Sequence, residues 1–305
     1  MRKPQTIVAG LILLTAQQAS AITIQFDYSS DTTGFFSQNA KNTLNAAGSF
    51  FGNLLTDSLS AIQSSGQNNF TASFNDPTTG TSRTIDHFSI AQDTIKVFVG
   101  ARSLGGSTLG QGGPGGYSVS GFNPFVTEAQ TRGQTSTVAG VQGATATDFS
   151  LWGGAISFNQ NTNWYFDQDV STASDLPSTN FDFYSVALHE LGHVLGIGTA
   201  DSWFNNISNG QFTGPEASTV FGGPVPLNPG LDHWAQGTQG TVNGVAQEAA
   251  MDPAITAGTR KVFTNLDVAA LKDIGWQVAP VPVPAAVWLF VSGLFGMFTL
   301  GRKKS

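Results

Sequence analysis

The sequence predicts an α+β protein: a mixed, twisted sheet with a long N-terminal helix, a second buried helix and a closing helix near the C-terminus. Three observations predict this fold class. Apolar residues recur at helical spacing in residues 35–64 and 183–195, whereas short alternating or β-branched runs of strand length lie between these segments. Glycine is abundant (36 residues) and charged residues are sparse (11%), which favours strands and loops over a bundle of helices.

The length and the absence of cysteine limit what this chain can be. With 305 residues it is long enough to bury a substantial core. No internal repeat or domain-scale linker interrupts residues 22–278, so we expect one domain there. The sequence contains no Cys, which excludes disulfides, cysteine zinc sites and thiol nucleophiles.

Residues 1–21 have the pattern of a secretory signal peptide. A basic pair at 2–3 precedes a short apolar run at 7–15, and the Ala-Ser-Ala sequence at 19–21 fits a signal peptidase site. We therefore expect an exported protein whose mature chain begins at Ile22. A membrane anchor is the alternative, but the apolar run is too short to span a bilayer.

Residues 279–305 have the features of a second sorting element. A Pro-Val-Pro-Val-Pro stretch (280–284) precedes an apolar run (285–301) and a basic end (302–304). This order resembles the bacterial PEP-CTERM sorting signal, except that Val283 stands where that signal usually has Glu. The resemblance implies processing by an exosortase and a secreted or cell-surface location, with a transient or retained membrane anchor. A permanent tail anchor with a cytoplasmic basic end is the alternative.

The charge balance of the mature chain is acidic. Removing residues 1–21 and 279–305 takes away five of the 13 basic residues and none of the 20 acidic ones, which leaves a net charge of −12. Such a surface repels nucleic acids and anionic membranes. We therefore expect neither of them as a partner.

The first part of the mature chain predicts strands around one long helix. The apolar spacing in residues 35–64 predicts an amphipathic helix with a break at Gly48 or Gly52, because glycine weakens a helix interior. Strand patterns lie at residues 22–28, 69–74 and 94–101.

The middle of the chain predicts a loop followed by one strand. The glycine-dense segment 104–117 is expected to be a flexible loop, because it lacks the Gly-Lys-Ser/Thr sequence of a phosphate-binding loop, the alternative. Residues 130–148 are polar and are expected to be irregular. Residues 152–158 predict a strand, and we expect it at an edge of the sheet, where an extended peptide can pair with it.

Three acidic residues follow this strand, at Asp167, Asp169 and Asp175. Carboxylates are ligands that calcium prefers. Their spacing matches no EF-hand, however, so a solvated loop is the expected structure and calcium binding has no support from the sequence.

The strongest functional signal is the His-Glu-Leu-Gly-His motif that begins at His189. On an α-helix His189 and His193 lie one turn apart on one face, which is the spacing that two zinc ligands need. Glu190 can reach a water that the metal acidifies, and can act there as a general base. The flanking residues are apolar almost all round, and Gly196 and Gly198 follow, so the helix is predicted to be buried and to end there. A core helix whose histidines only make hydrogen bonds is the alternative.

The third zinc ligand is open at this stage, although catalytic zinc commonly has three protein ligands. His87 lies ahead of a predicted strand far upstream, where a hydrogen-bonded surface histidine is expected. His233 follows a long loop at 199–230 that can bring it back over the metal. A carboxylate from Glu216 or Glu248 would complete the site in the gluzincin scheme.

The region from residue 183 to residue 276 resembles the leishmanolysin-like branch of the metzincin metalloproteases. In that branch an insertion separates the third histidine from the helix motif, which agrees with Thr199 at the position six residues after His193. The closing helix would correspond to residues 263–276, beginning near Thr264 or Asn265. Some metzincins also have a Tyr after the methionine turn, but this chain has no Tyr beyond Tyr184. By residue, the resemblance implies zinc on His189, His193 and His233, Glu190 as the general base, Gly196 as the turning glycine, and Met251 in a turn beneath the metal.

The sequence thus predicts an exported zinc endopeptidase that acts on protein or peptide substrates. Glu190 would take a proton from a water as it attacks the peptide carbonyl, and would pass that proton to the leaving amine. The alternative is a surface or matrix protein whose zinc site is structural or inactive. A structural site would have four protein ligands and no exchangeable water.

Overall fold

A computed structural model describes residues 22–134 and 152–279. It contains helices and strands in mixed order, as expected for an α+β protein. The helices are α1 (Gln38–Leu54), α2 (Asn123–Thr131), α3 (Phe183–Val194), α4 (Asp201–Asn205), α5 (Pro215–Phe221) and α6 (Asn265–Asp273).

The strands form five small sheets within the described residues. The first seven are β1 (Thr23–Asp27), β2 (Asn69–Asn75), β3 (Ser82–Ile85), β4 (Thr94–Arg102), β5 (Gly110–Pro114), β6 (Gly116–Ser120) and β7 (Gly153–Asn159). The others are β8 (Trp164–Tyr165), β9 (Phe181–Asp182), β10 (Ile207–Ser208), β11 (Gln211–Phe212), β12 (Val225–Pro226), β13 (Gln239–Val242) and β14 (Val245–Glu248).

The main sheet has the strand order β1-β4-β7-β5. The first three strands are parallel, and β5 runs antiparallel to β7 at the outer edge. The expectation of a mixed sheet is therefore confirmed. The expectation that residues 152–158 form an edge strand is wrong, because β7 pairs with β4 on one side and with β5 on the other.

Strand β4 separates two hydrophobic cores. Its residues are buried on both faces, which agrees with a nearly continuous apolar sequence. Val97 and Val99 face a large core that also contains α1, α3 and α6. Phe98 faces a smaller core, where it stacks on Phe74 of the β3-β2-β6 sheet with ring centroids 4.3 Å apart. The sheet is thus covered on both faces, and α3 lies on the side of the large core.

Helix α1 is continuous through Gly48 and Gly52, so the predicted break is wrong, and the helix ends at Leu54 rather than continuing toward residue 64. Both glycines allow the helix to lie close to the first strand. A Cβ on Gly48 would come within 2.8 Å of the Phe26 ring, and one on Gly52 within 2.5 Å of the Ile22 carbonyl. Close packing, and not a kink, accounts for these glycines.

The glycine-dense segment 104–117 is not simply a loop, as the sequence predicted, because it contains β5 and the start of β6. The hydrogen bonds of β7 hold β5 in place despite its lack of β-branched residues. The segment 199–230 likewise contains α4, α5 and three two-residue strands, β10 to β12, so it is less irregular than expected.

The end of the described chain returns to the end of α1. Leu55 and Val278 form an antiparallel bridge, and Thr56 donates its N–H to the carbonyl of Gln277. The buried carboxylate of Asp57 accepts the N–H of Gln277 over 3.1 Å. This contact joins the C-terminal end of the predicted domain to the segment that follows α1.

The predicted sorting segments at 1–21 and 279–305 lie outside the described residues, apart from residue 279, as does most of 130–148. Within residues 22–134 and 152–279, no helix is long and apolar enough to cross a membrane.

Candidate active site

Helix α3 contains the His-Glu-Leu-Gly-His motif and lies in the interior of the protein. It begins after Asp182, whose carboxylate accepts the N–H of Ser185 over 3.2 Å, and it is buried along almost its whole length. After Leu195 the chain turns at Gly196, which has a φ of 107°, a value that favours glycine. His189 and His193 therefore lie one turn apart on this helix, as the sequence predicted.

The start of α3 is fixed by a buried ion pair. Arg260 contacts Asp182 through two hydrogen bonds of 2.8 Å, and it contacts Asp167 over 2.7 Å. The neighbouring Lys261 donates its N–H to the hydroxyl of Ser185 over 2.8 Å. Arg260 and Lys261, which lie in the segment before α6, thus fix the N-terminal end of α3.

His233 joins the two histidines of α3. The Nε2 atom of His189 lies 3.1 Å from Nε2 of His193 and 3.1 Å from Nε2 of His233, and the third separation is 3.0 Å. Nitrogen ligands at about 2.1 Å from a tetrahedral zinc lie roughly 3.4 Å apart, so the spacing is close to that of a zinc site. Among the described residues, these three histidines are the one group whose side chains could hold a metal ion.

The outer nitrogens of the three rings fix their orientation. His189 Nδ1 lies 2.8 Å from the carbonyl of Ala250, and His193 Nδ1 lies 2.8 Å from the carbonyl of Ile197. His233 Nδ1 lies 2.8 Å from Asp232 Oδ1. Since these partners are acceptors, each Nδ1 has the proton, and three Nε2 lone pairs point at one another. The three lone pairs repel one another unless a cation lies between the rings, and this arrangement is therefore typical of a metal site.

The pKa values of the two helix histidines agree with this assignment. Burial, together with the neighbouring imidazoles, lowers the pKa of His193 to about 4 and that of His189 well below its usual 6.5. Both rings are therefore neutral at neutral pH, and neutral imidazole is the form that binds a metal.

Several contacts hold the segment before His233 against the end of α3. A Cβ on Gly198 would collide with the carbonyl oxygen of Asp232, so the turn after the helix lies directly against this segment. Trp203 of α4 donates its indole N–H to the carbonyl of Leu231 over 2.8 Å. The elements within the 199–230 insertion thus serve to dock His233.

A methionine turn lies beneath the helix. Met251 is fully buried, and a Cβ on Gly192 of the motif would come within 2.6 Å of its sulfur. Asp267 in the first turn of α6 accepts the N–H groups of Ala250 and Met251, and also the indole N–H of Trp234. The closing helix, which begins after Thr264 as expected, therefore holds both the turn and the residue after His233.

Glu190 is directed at the edge of the sheet. Its side chain accepts the N–H of Gly112 in β5 over 2.5 Å, and the residue is 5% exposed. Burial raises the pKa of Glu190 to about 8, although the hydrogen bond from Gly112 opposes part of this rise. A cation on the neighbouring imidazoles would favour the carboxylate and lower this pKa again.

Glu190 and the three histidines line one cleft with a cavity volume of about 530 Å³. This is the size of a pocket for part of a peptide or a small molecule. Residues 107–112, on and before β5, contribute to the lining, and residues 250 and 252–255 after β14 also contribute.

The other candidate ligands lie elsewhere. His87 is exposed in a turn between β3 and β4, and its backbone N–H binds Asn69. Glu216 pairs with Lys272 at the surface, and Glu248 pairs with Lys261. The gluzincin alternative therefore has no support in the described residues.

The three acids considered for calcium do not converge. Asp167 pairs with Arg260, Asp169 caps the turn at Ser171, and Asp175 accepts the hydroxyl proton of Tyr165. They form no cation site among the described residues.

Sequence reasoning missed several residues that organise this site. Gly112, Gly192 and Asp267 make contacts between segments distant in the chain, so no local pattern could reveal them. Asp232 had one available signal, since a metal-binding histidine often donates its outer N–H to a carboxylate, and Asp232 directly precedes His233.

The comparisons with known proteins agree with this geometry. Residues 125–202, about a quarter of the chain, match the family model described as Matrixin, of peptidase family M10. The match includes His189, Glu190 and His193 and ends before His233. No curated protein and no solved structure gives a match.

The fold and the site support one class of protein. A mixed sheet, a buried motif helix, a third histidine from a later segment and a buried methionine turn support a metzincin-type metalloprotease. The Matrixin match supports the same class, and with it a zinc-dependent hydrolase. The ligand roles of the three histidines and the catalytic role of Glu190 stay predictions.

Proposed function

We propose that this protein is an exported zinc endopeptidase that hydrolyses peptide bonds with Glu190 as the general base. The observation that supports this most is the convergence of three imidazole Nε2 atoms within 3.1 Å of one another in the cleft that Glu190 also lines. Such a donor set suits zinc, and three protein ligands leave room for a water or a substrate.

The chemistry divides between the metal and the protein. A zinc ion on these nitrogens would supply a Lewis acid and lower the pKa of a water molecule. Glu190 takes the proton of the attacking water and then gives it to the amide nitrogen that leaves. A cation on the neighbouring imidazoles would offset the rise in pKa that burial causes, so Glu190 would be a carboxylate that can accept this proton.

We also propose that the substrate lies along β5, and not along β7 as the sequence suggested. Leu109 and Gly115 direct their hydrogen bonds to β7. Since bonding alternates along an antiparallel pair, Gly110 and Gly112 direct their backbone groups away from β7. Glu190 binds the N–H of Gly112 on this side. An extended peptide that pairs with β5 would therefore pass next to the catalytic carboxylate.

The location and branch assignments are part of this proposal. The displaced His233 supports the leishmanolysin-like branch, because 39 residues separate it from His193. The residue patterns at 1–21 and 279–305 support export, signal peptidase and exosortase processing, and a secreted or cell-surface location.

Cleavage of a mixed peptide library tests the proposed function. The zinc-loaded protein should cut peptides at internal bonds, lose this activity with a chelator and regain it when zinc is added. Bound zinc at one ion per chain without any cleavage would instead support a structural or inactive zinc site.

A further inference from the structure

The third histidine is held by a short hydrogen-bonded chain of side chains. His233 Nδ1 donates to Asp232 Oδ1 over 2.8 Å, and the amide of Asn228 donates to the same oxygen over 2.8 Å. The Asn228 oxygen in turn accepts the backbone N–H groups of Asp232 and His233, over 3.1 and 3.2 Å. Residues 228–233 therefore form a closed turn in which a carboxylate faces the outer nitrogen of His233.

This chain of contacts differs from those of the two helix histidines. His189 and His193 lie on one rigid helix, and their outer nitrogens bind backbone carbonyls. His233 lies in a loop, two residues after Leu231, whose φ of 62° is unusual for a side chain of its size. Its ring position is therefore not fixed by a helix, and a contact of its own side chain has to fix it.

The charge of Asp232 also suits this position. A site with three neutral imidazoles gives a divalent cation no negative ligand, so a nearby carboxylate compensates part of its charge. The Asp232 side chain is 46% exposed, so the negative charge keeps part of its hydration. A carboxylate bound to Nδ1 also makes the opposite nitrogen a stronger ligand.

We propose that Asp232 is a positioning residue that orients His233 and strengthens it as a metal ligand, and that Asn228 holds Asp232 for this task. This inference rests on the metal site within the proposed function, and it does not require that the protein be a protease.

Zinc affinity tests the proposal without reference to catalysis. We would measure it by competition with a chromophoric chelator for the wild-type chain and for Asp232→Ala, Asp232→Asn and Asn228→Ala. The absorption spectrum of the cobalt-substituted proteins would report the geometry at the metal. Asp201→Ala is the matched control, because Asp201 is an exposed carboxylate that follows the motif helix and does not line the cleft.

Asp232→Ala should weaken zinc binding about 10- to 100-fold and change the cobalt spectrum. Asp232→Asn keeps an acceptor for Nδ1 but loses the charge, so its affinity should lie between those of Asp232→Ala and the wild type. Asn228→Ala should also fall between them, whereas Asp201→Ala should bind as the wild type does. Thermal unfolding of the metal-free variants checks that they fold, and Asp232→Asn provides the test if Asp232→Ala does not.

Wild-type zinc affinity and an unchanged cobalt spectrum in folded Asp232→Ala or Asp232→Asn would overturn the proposal. A loss of affinity in these variants, found in a protein that cleaves no peptide, would leave the positioning role intact and reject only the protease function.

Discussion

Gly112 donates its backbone N–H to the side chain of Glu190 over 2.5 Å, which joins the edge strand of the sheet to the motif helix. The approach is so close that a Cβ on Gly112 would lie 2.5 Å from the Glu190 carbonyl oxygen. The glycines of β5 therefore allow the strand proposed to bind substrate to lie directly on the residue proposed to catalyse hydrolysis.

Replacing Gly112 with Ala should separate β5 from α3. A displacement of about 1 Å can lower catalysis on the order of 100-fold, so we expect a fall of 10- to 100-fold in kcat/KM on a library peptide. Gly113→Ala is the matched control, because a Cβ on Gly113 would meet no atom within 4 Å. Equal activity of the two variants would contradict the proposed role of this contact.

His233→Ala should abolish stoichiometric zinc binding, because it removes one of three converging nitrogens. Zinc content after dialysis, measured by atomic emission, checks this. His87→Ala is the control, since His87 is exposed and distant in sequence from the other three histidines. This variant should keep one zinc per chain. Loss of zinc from His87→Ala with retention in His233→Ala would reverse the assignment.

Arg260→Ala should destabilise the fold strongly. It would leave the buried carboxylates of Asp167 and Asp182 without their partner, and breaking a buried pair in this way costs about 3–5 kcal/mol. Arg83→Ala removes a more exposed pair with Asp76 and should cost at most about 1 kcal/mol. Urea unfolding of both variants measures the difference, and similar losses would argue against the importance of the Arg260 cluster.

Asp57 should make stability depend on pH. Burial raises its pKa in the folded protein to about 7, whereas the unfolded chain has the ordinary value of 3.8. Between these values the unfolded state releases a proton that the folded state keeps, so the Asp57 contribution to the free energy of unfolding falls as pH rises from about 4 to about 7.

Asp57→Asn should remove this dependence. Relative to the wild type, the variant should gain about 4 kcal/mol between pH 4 and pH 8, because the pKa of Asp57 differs by about 3 between the folded and unfolded states and each pKa unit corresponds to about 1.4 kcal/mol. Asp86→Asn, at an exposed position, is the control and should follow the wild type. Parallel stability profiles for wild type and Asp57→Asn would exclude the proposed titration.

The features that the sequence revealed are local ones. The spacing of His189 and His193 follows from one helical turn, and the helix expected to begin near Thr264 is α6, which begins at Asn265. Strands β1 and β4 were predicted for the same reason, since alternation or a continuous apolar run lies within each segment.

The features that the sequence did not reveal depend on partners distant in the chain. Strand β5 has a glycine-rich sequence with no strand pattern, and its pairing with β7 forms it. Because of this pairing the edge strand of the sheet is β5, and not β7 as the sequence predicted. The role of Asp232 likewise became visible only when the structure placed its carboxylate against His233.

The most direct test of the account is the activity of Glu190→Gln beside the wild type, with zinc content measured in the same samples. Glutamine keeps the size of the side chain and its acceptor for Gly112 but cannot take a proton from water. We predict one zinc per chain in both proteins and a loss of about 100- to 10,000-fold in kcat/KM for the variant. Full proteolysis by a zinc-loaded Glu190→Gln protein would contradict the proposed mechanism.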